Sequence, residues 1–224
     1  MIKRLFDIIA SALGLIFLSP ILLITMVVLR FSGEGEIFFF QKRMGFKNKP
    51  FHITKFATML KSAANMKAGD YTTRGDPRIL PVGKFLRKTK INEIIQLWDV
   101  LRGQMSLVGP RPQVVRVHEQ HYPEDYHRVF QNFRPGITGI GSIVYRDEES
   151  ILTDAVDKEK CYTEEIIPHK ALLEMWYTDN ASIILDIKLI FLTLWYVVQP
   201  QSNLVNKIIP ESLQKDITQF KGSN

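Results

Sequence analysis

Residues 5–29 form an apolar run interrupted by Asp7, Ser11, Ser19, Pro20 and Thr25, and no other feature restricts the possible folds as strongly. A helix needs roughly 20 such residues to cross the hydrocarbon core, so length permits crossing. Pro20 lacks a backbone N–H and its ring clashes with the preceding turn, which predicts a bend at Ser19 and Pro20. Lys3 and Arg4 precede the run, and Arg30, Lys42, Arg43, Lys47 and Lys49 follow it. Basic residues on both sides favour the cytoplasm for both flanks, and that geometry is a re-entrant hairpin dipping into one leaflet. A single-pass helix is the ordinary alternative. A signal peptide fits worse, because no small-residue cleavage site follows the run.

A second apolar run, Ile183–Val198, contains Asp186 and Lys188 and ends near Trp195 and Tyr196. Spanning would carry two charges into hydrocarbon. An interfacial helix with its aromatic residues at headgroup level and a core helix of the globular part both remain open. The length of 224 residues suits one domain plus a membrane segment. A net charge of +6 implies an anionic partner: nucleic acid, a membrane surface or a phosphorylated substrate. Charge is the only feature favouring nucleic acid, so none is expected. The single cysteine, Cys161, excludes an internal disulfide framework. Between the apolar runs the chain reads as helices joined by polar turns, with short strands expected at residues 36–40 and 51–56 around a turn holding Gly45, Asn48 and Pro50. The fold class is therefore α+β and helix-rich, with a small β-hairpin.

Chemistry concentrates in residues 85–112, FLRKTKINEIIQLWDVLRGQMSLVGPRP. Ile91, Ile94, Ile95 and Trp98 recur at i, i+3, i+4 and i+7 and predict one apolar helix face. Asn92 then falls at the helix start as a candidate N-cap, and Glu93 in the first turn suits the positive end of the helix dipole. The same helix start could instead hold phosphate, with Arg87, Lys88 and Lys90 just before it. Gly109, Pro110 and Pro112 would fix a turn that aims Arg111. His118 and His121 share a helical spacing but not the HExxH pattern of zinc proteases, and a polar surface pair is expected. Walker, dinucleotide-binding and zinc-finger signatures are absent from the sequence.

These residues resemble the signature of the bacterial sugar transferases, the monotopic phosphoglycosyl transferases. The opening KRLFDIIASALGLIFLSPILL is similar to that family's Lys-Arg-x-Phe-Asp start and Ser-Pro break. FFQKRMG resembles its Phe-x-Gln-x-Arg-x-Gly hairpin, PGITG its glycine turn, and WYTDNASIILDIKLIFLTL its closing helix. Two positions depart from the pattern. Ala57 stands where the Lys-Phe-Arg-Thr-Met motif has arginine, and Asn92-Glu93 stands where the family has an Asp-Glu pair, marking a divergent branch.

The resemblance implies a mechanism in which the Asp attacks the phosphate carrying the sugar, a nucleoside monophosphate leaves, and polyprenyl phosphate takes the phosphosugar. An amide is a poor nucleophile. Glu93 or another carboxylate such as Asp147, in the acidic run Asp147, Glu148 and Glu149, could replace it; the lipid phosphate could attack directly; or the chain is a non-catalytic relative that binds lipid phosphate or scaffolds partner glycosyltransferases. Lys55, Arg78, Arg87, Lys88 and Arg111 are the implied diphosphate contacts, and Mg²⁺ is implied with Glu93 as its ligand. The implied reaction moves a sugar phosphate from a UDP-sugar to undecaprenyl phosphate, releasing UMP, at the first membrane step of cell-surface glycan assembly. The expected organisation is a re-entrant helix–break–helix over 1–31 and a cytoplasmic catalytic domain with interfacial helices over 32–224, on the cytoplasmic face of a bacterial inner membrane. Further candidate partners are a second copy of the chain and downstream glycosyltransferases.

Overall fold

The computed structural model describes residues 2–65, 71–200 and 202–214. Its first element is α1, Ile2–Arg30, a single helix of 29 residues, about 43 Å at 1.5 Å per residue. The expected division into two helices at Ser19 and Pro20 is corrected: the helix continues through Pro20. Pro20 cannot bond back to the Ile16 carbonyl, but Ser19 Oγ donates to that same oxygen at 2.8 Å, which supplies a partner for the freed acceptor.

One stripe of α1 is buried, comprising Asp7, Ser11, Leu22, Thr25 and Leu29. Near its start, Asp7 accepts from Leu107 N at 3.0 Å and Ser106 Oγ at 2.8 Å, and Arg4 donates to Val100 O at 2.7 Å. Near its end, Leu22 and Leu29 pack with Phe56, Leu86 and Ile95. Both ends are thus anchored to the same body. The opposite stripe, with Ile9, Leu13, Phe17 and Ile24, is exposed. Among the described residues α1 is the one helix long and apolar enough to cross a membrane, and this uncovered apolar stripe associates the protein with one.

The strands β1, Phe38–Arg43, and β2, Phe51–Phe56, form an antiparallel hairpin running from Phe38 opposite Phe56 to Arg43 opposite Phe51. β2 lies where it was expected. The first strand begins two residues later than expected and ends three later, because Gly33 and Gly35, with φ of 56° and 74°, turn the chain before pairing begins. The hairpin connection passes through Lys47 and Asn48, both at positive φ, and Asn48 Nδ2 donates to His127 O at 3.1 Å.

The helices α2 (Pro81–Lys88), α3 (Ile91–Ile94) and α4 (Leu97–Leu101) follow. A three-residue strand β3, Ser106–Val108, pairs in parallel with β4, Gly136–Thr138, across the helices α5 (Val115–His121) and α6 (His127–Asn132). This second sheet was not foreseen. Three residues are too few to show a period of two. His118 corrects the expectation of a surface histidine pair: it is buried among Tyr122, Tyr126, His127 and Phe130.

The main core gathers α7 (Ile140–Val144), α8 (Glu148–Asp154), α10 (Ile167–Asp179) and α11 (Ile183–Val198) around Ile140, Leu152, Leu173, Tyr177 and Leu189. The short α9, Lys158–Lys160, runs through a π-helical stretch into α10. The core-helix reading of residues 183–198 holds for one face, and the other face is uncovered. Leu185, Asp186, Leu189, Leu192 and Tyr196 point inward, while Ile184, Ile187, Phe191 and Leu194 are exposed.

Candidate active site

The site begins with close backbone approaches that only glycine permits. A Cβ on Gly136 would lie 2.1 Å from Gly109 N, and one on Gly139 would lie 2.1 Å from Gly109 O. Without those side chains the two loops bond directly, Gly109 N to Thr138 O at 3.0 Å and Gly136 N to Pro110 O at 2.9 Å. The Pro-Arg-Pro turn that follows is held from two further sides. Arg111 N donates to Glu174 Oε1 at 3.0 Å, and Arg43 from the end of β1 donates to Pro112 O at 3.1 Å. The turn therefore presents the Arg111 guanidinium in one direction, toward Glu93, with Nη2 to Oε1 at 3.4 Å.

Glu93 sits on α3, which starts at Lys90 in the left-handed conformation, φ 59°, with no side-chain cap. Asn92 is therefore not the N-cap: it is the second residue of α3, buried, and its Oδ1 has no hydrogen-bond partner among the described residues. The expected continuous apolar face is likewise corrected. Gln96 N bonds to Glu93 O and Trp98 N to Ile95 O, both at 3.0 Å and both i to i+3. This tightening divides α3 from α4 and turns Trp98 outward to half exposure.

Lys55 Nζ lies 2.7 Å from Glu93 Oε1. It reaches there from β2, whose neighbouring Thr54 is fixed by the buried Asp99, with N to Oδ2 at 2.8 Å and Oγ1 to Oδ1 at 2.9 Å. A pocket forms at this point, lined by Arg43, Lys55, Glu93, Gln96, Arg111 and Gly136, with Ile53 and Pro112 beside them. Burial pushes the Glu93 carboxyl up, but Lys55 and Arg111 overcome it and hold the group well below the usual carboxylate range. Burial, reinforced by Arg111 and Arg43 and opposed by Glu93, lowers Lys55 to about 8. Burial and then Arg111 bring Arg43 down to about 10. Glu93 raises Arg111. Three cations around one ionised carboxylate leave the pocket net positive, which suits a phosphate.

Of the residues singled out in the sequence, Lys55, Glu93 and Arg111 converge, with Asn92 adjacent on α3. The others lie elsewhere. Arg78 is buried against Asp76, Nη2 to Oδ2 at 2.6 Å, and also donates to Tyr71 O at 3.1 Å. Arg87 pairs with Glu149, and Lys88 is exposed at the end of α2. Asp147 is exposed beside Arg146, at 3.4 Å, while Glu148 pairs with Lys170. Ala57 is buried and extends the hairpin, its N–H donating to Ile37 O at 2.9 Å. Sequence reasoning missed Arg43, Gln96 and Glu174. Arg43 had a signal, the Gln-x-Arg-x-Gly hairpin pattern. Glu174, on a helix 63 residues beyond Arg111, had none.

Both contacts to Glu93 fall on Oε1. Among the described residues no group of three or more His, Cys, Asp or Glu side chains could hold a metal alone. One carboxylate whose Oε2 makes no hydrogen bond or ion pair among the described residues does fit an ion that takes its remaining ligands from phosphates, as Mg²⁺ commonly does.

A model of the bacterial sugar transferase family matches residues 1–200. The chain is 36% identical over 202 residues to undecaprenyl-phosphate glucose phosphotransferase of Komagataeibacter xylinus, covering 86% of this chain and 35% of that protein. It is 36% identical over 201 residues to UDP-glucose:undecaprenyl-phosphate glucose-1-phosphate transferase of Escherichia coli (strain K12), covering 87% of this chain and 40% of that one. It thus spans well under half the length of these two relatives. Similarity to the uncharacterized sugar transferase EpsL of Bacillus subtilis (strain 168) is 33% over 225 residues and takes in 99% of this chain and 96% of EpsL.

Proposed function

The chain belongs to the bacterial sugar transferase family, and on that premise we propose that it moves a sugar phosphate from a UDP-sugar to undecaprenyl phosphate, yielding undecaprenyl diphosphosugar and UMP. The observation that carries this reading is the pocket in which Lys55, Arg111 and Arg43 surround Glu93. A diphosphate brings the negative charge that these cations lack, and the apolar stripes of α1 and α11 bring the body to the bilayer that holds a polyprenyl acceptor. The two named transferases act on that lipid phosphate. The protein works at the cytoplasmic face of the inner membrane, where nucleotide sugars are found, at the first membrane step of glycan assembly.

The residues support an in-line displacement. A phosphate oxygen of the acceptor attacks the phosphorus that bears the sugar, and the bond from that phosphorus to the bridging oxygen breaks, so that UMP leaves with the electron pair. Lys55, Arg111 and Arg43 stabilise the charge that spreads over the non-bridging oxygens and the leaving phosphate. Asn92 has no carboxylate with which to attack. Among the described residues Glu93 is the one carboxylate lining the pocket, and a carboxylate paired with two cations and held well below its usual pKa is a weak nucleophile. Its role here is to set the positions of Lys55 and Arg111. Mg²⁺, taken up with the substrate, would be held by Glu93 together with the diphosphate and would neutralise part of its charge.

A second reading, a non-catalytic relative that binds lipid phosphate or scaffolds partner glycosyltransferases, is favoured by the amide at Asn92. One assay decides between them: UMP release by the membrane-embedded protein with Mg²⁺, undecaprenyl phosphate and a panel of UDP-sugars, with Glu93→Gln as the control. Release by the native chain and its loss in the variant support the transferase. No release with any donor from folded protein supports the binding reading.

A further inference from the structure

Gln96 is 2% exposed and lines the same pocket as Lys55, Glu93, Arg111 and Arg43. Its backbone is fixed in the tightened turn between α3 and α4, with its N–H on Glu93 O and its carbonyl accepting from Val100 N, each at 3.0 Å. Its side-chain Nε2 is buried and has no hydrogen-bond partner among the described residues. A buried donor left unmet forfeits its solvation without return, and buried polar groups are nearly always bonded. The neighbours identify what would complete it. Three cations draw an anion to this position, and an amide NH₂ requires an acceptor. A phosphoryl oxygen satisfies both conditions, whereas a sugar hydroxyl or an apolar tail satisfies one or neither.

We propose that Gln96 is a phosphate-binding residue of this site, its side-chain NH₂ donating to a non-bridging oxygen of the diphosphate held between Lys55 and Arg111. The inference rests on the transferase reading and adds a directional neutral donor to the cations. Lysine and arginine attract phosphate from a range of positions, but a single amide fixed on a rigid turn selects one oxygen. The competing account is internal: Asn92 Oδ1, one helical turn earlier, is also buried without a partner, and a rotation could pair the two amides.

Two substitutions separate these accounts. Gln96→Met keeps length and approximate volume and removes the donor. Gln96→Glu keeps the shape and places a negative charge against the phosphate. The full chain in phospholipid nanodiscs is titrated calorimetrically with UDP and with inorganic pyrophosphate, and is melted without ligand. The expected result is affinity for both probes roughly 10-fold weaker in Gln96→Met and weaker still in Gln96→Glu. The unliganded melting temperature of Gln96→Met should be equal or higher, since an unmet buried donor has been removed. KM for the UDP-sugar should rise by a similar factor, with a smaller change in kcat. Unchanged probe affinity together with a lowered melting temperature would overturn the proposal and assign Gln96 to Asn92 and the fold. A native chain that binds neither probe would overturn the transferase reading as well. A native chain that binds UDP and releases UMP, beside a Gln96→Met variant of equal affinity, overturns this inference alone.

Discussion

Lys3 and Asp186, 183 positions apart, form an ion pair that joins the first turn of α1 to the first turn of α11. The same ammonium donates to Val108 O at 3.0 Å, at the end of β3, and Asp186 Oδ1 accepts from Tyr177 OH at 2.6 Å. One cluster therefore fastens both helices that carry outward apolar faces. It also fastens the strand from which the loop bearing Arg111 departs, so the membrane-facing surface and the pocket share a mechanical anchor.

Removing one partner of that cluster is expected to be expensive. Asp186 is almost fully buried and Lys3 is one-third exposed, so Asp186→Ala leaves a partly desolvated ammonium and a tyrosine hydroxyl with only its long contact to Val108 O at 3.5 Å. The expected loss is about 3 kcal/mol, a fall in melting temperature on the order of 10 °C for a chain of this size. Thermal unfolding in nanodiscs measures it, and the double variant Lys3→Met with Asp186→Leu should recover a large part of the loss.

Gly136→Ala is expected to damage the site through the backbone alone. A methyl group there would meet Gly109 N at 2.1 Å and Gly109 O at 2.6 Å, so β3 and β4 must separate and the Arg111 turn must shift. The loss should exceed about 3 kcal/mol, larger than ordinary overpacking among side chains that can move. Circular dichroism melts and UMP release should both fall. Gly75→Ala, where among the described residues nothing lies within 4 Å but φ is +74°, should cost only about 1 kcal/mol.

The fold and the site were legible where one residue type dictates a local outcome. The apolar run gave α1, the turn holding Gly45, Asn48 and Pro50 gave β2, and the turn around Gly109 to Pro112 pointed to Arg111. Glu93 was legible through the resemblance, since the Asn92-Glu93 pair stands where the family has Asp-Glu. What escaped notice depends on tertiary approach. The continuity of α1 through Pro20 is the local exception, where the Ser19 hydroxyl meets the Ile16 carbonyl three residues back. The β3 and β4 pair rests on three glycines touching, and the burial of His118 rests on four aromatic rings contributed by later segments. Helix-start geometry allowed Asn92 as a cap or beside a phosphate, with the flanking motifs favouring the phosphate; only the left-handed Lys90 shows that the helix begins before it.

Lys55 should give the pocket a pH dependence of opposite sign for binding and for stability. In the unliganded protein it titrates near 8 instead of 10.5, so above pH 8 a phosphate ligand must bring a proton with it. Affinity for UDP should then fall about tenfold per pH unit. The unfolded chain keeps its lysine protonated up to 10.5, so it binds more protons than the folded one between about 8 and 10.5, and stability gains from this group as pH rises. Calorimetric titration and melting across that range separate the two effects. Lys55→Arg, whose guanidinium stays charged, should flatten the binding profile.

Asn92→Asp tests the displacement directly. The variant places a carboxylate at a buried position adjacent to Glu93, where the native chain has an amide oxygen without a partner. With a UDP-sugar and no lipid acceptor, the native chain should release no UMP beyond background. The variant should release about one equivalent in a burst, the sign of a covalent intermediate. A burst from the native chain would assign the nucleophile to a group already present and would end the in-line reading.

Glu174 links the stability of the core to the position of Arg111. It is buried, accepts from Tyr126 OH and from Arg111 N, and burial pushes its carboxyl from 4.5 up to about 7, against the pull of those two hydrogen bonds and of Lys170. A carboxyl whose folded value is raised holds its proton in the native state while the unfolded chain has released it. Its contribution is therefore complete below about 4.5 and is lost as pH rises through 7. Glutamine imitates the protonated form and does not titrate, and its carbonyl can still accept from Arg111 N. Glu174→Gln should be more stable than the native chain above pH 7, by on the order of 2 kcal/mol, and no more stable at pH 4.5. The difference in melting temperature between the two proteins, followed from pH 4.5 to 8.5, should open across this window; a constant difference would mean that Glu174 does not change its protonation there. UMP release by the variant should persist, because the backbone contact that aims Arg111 survives the substitution.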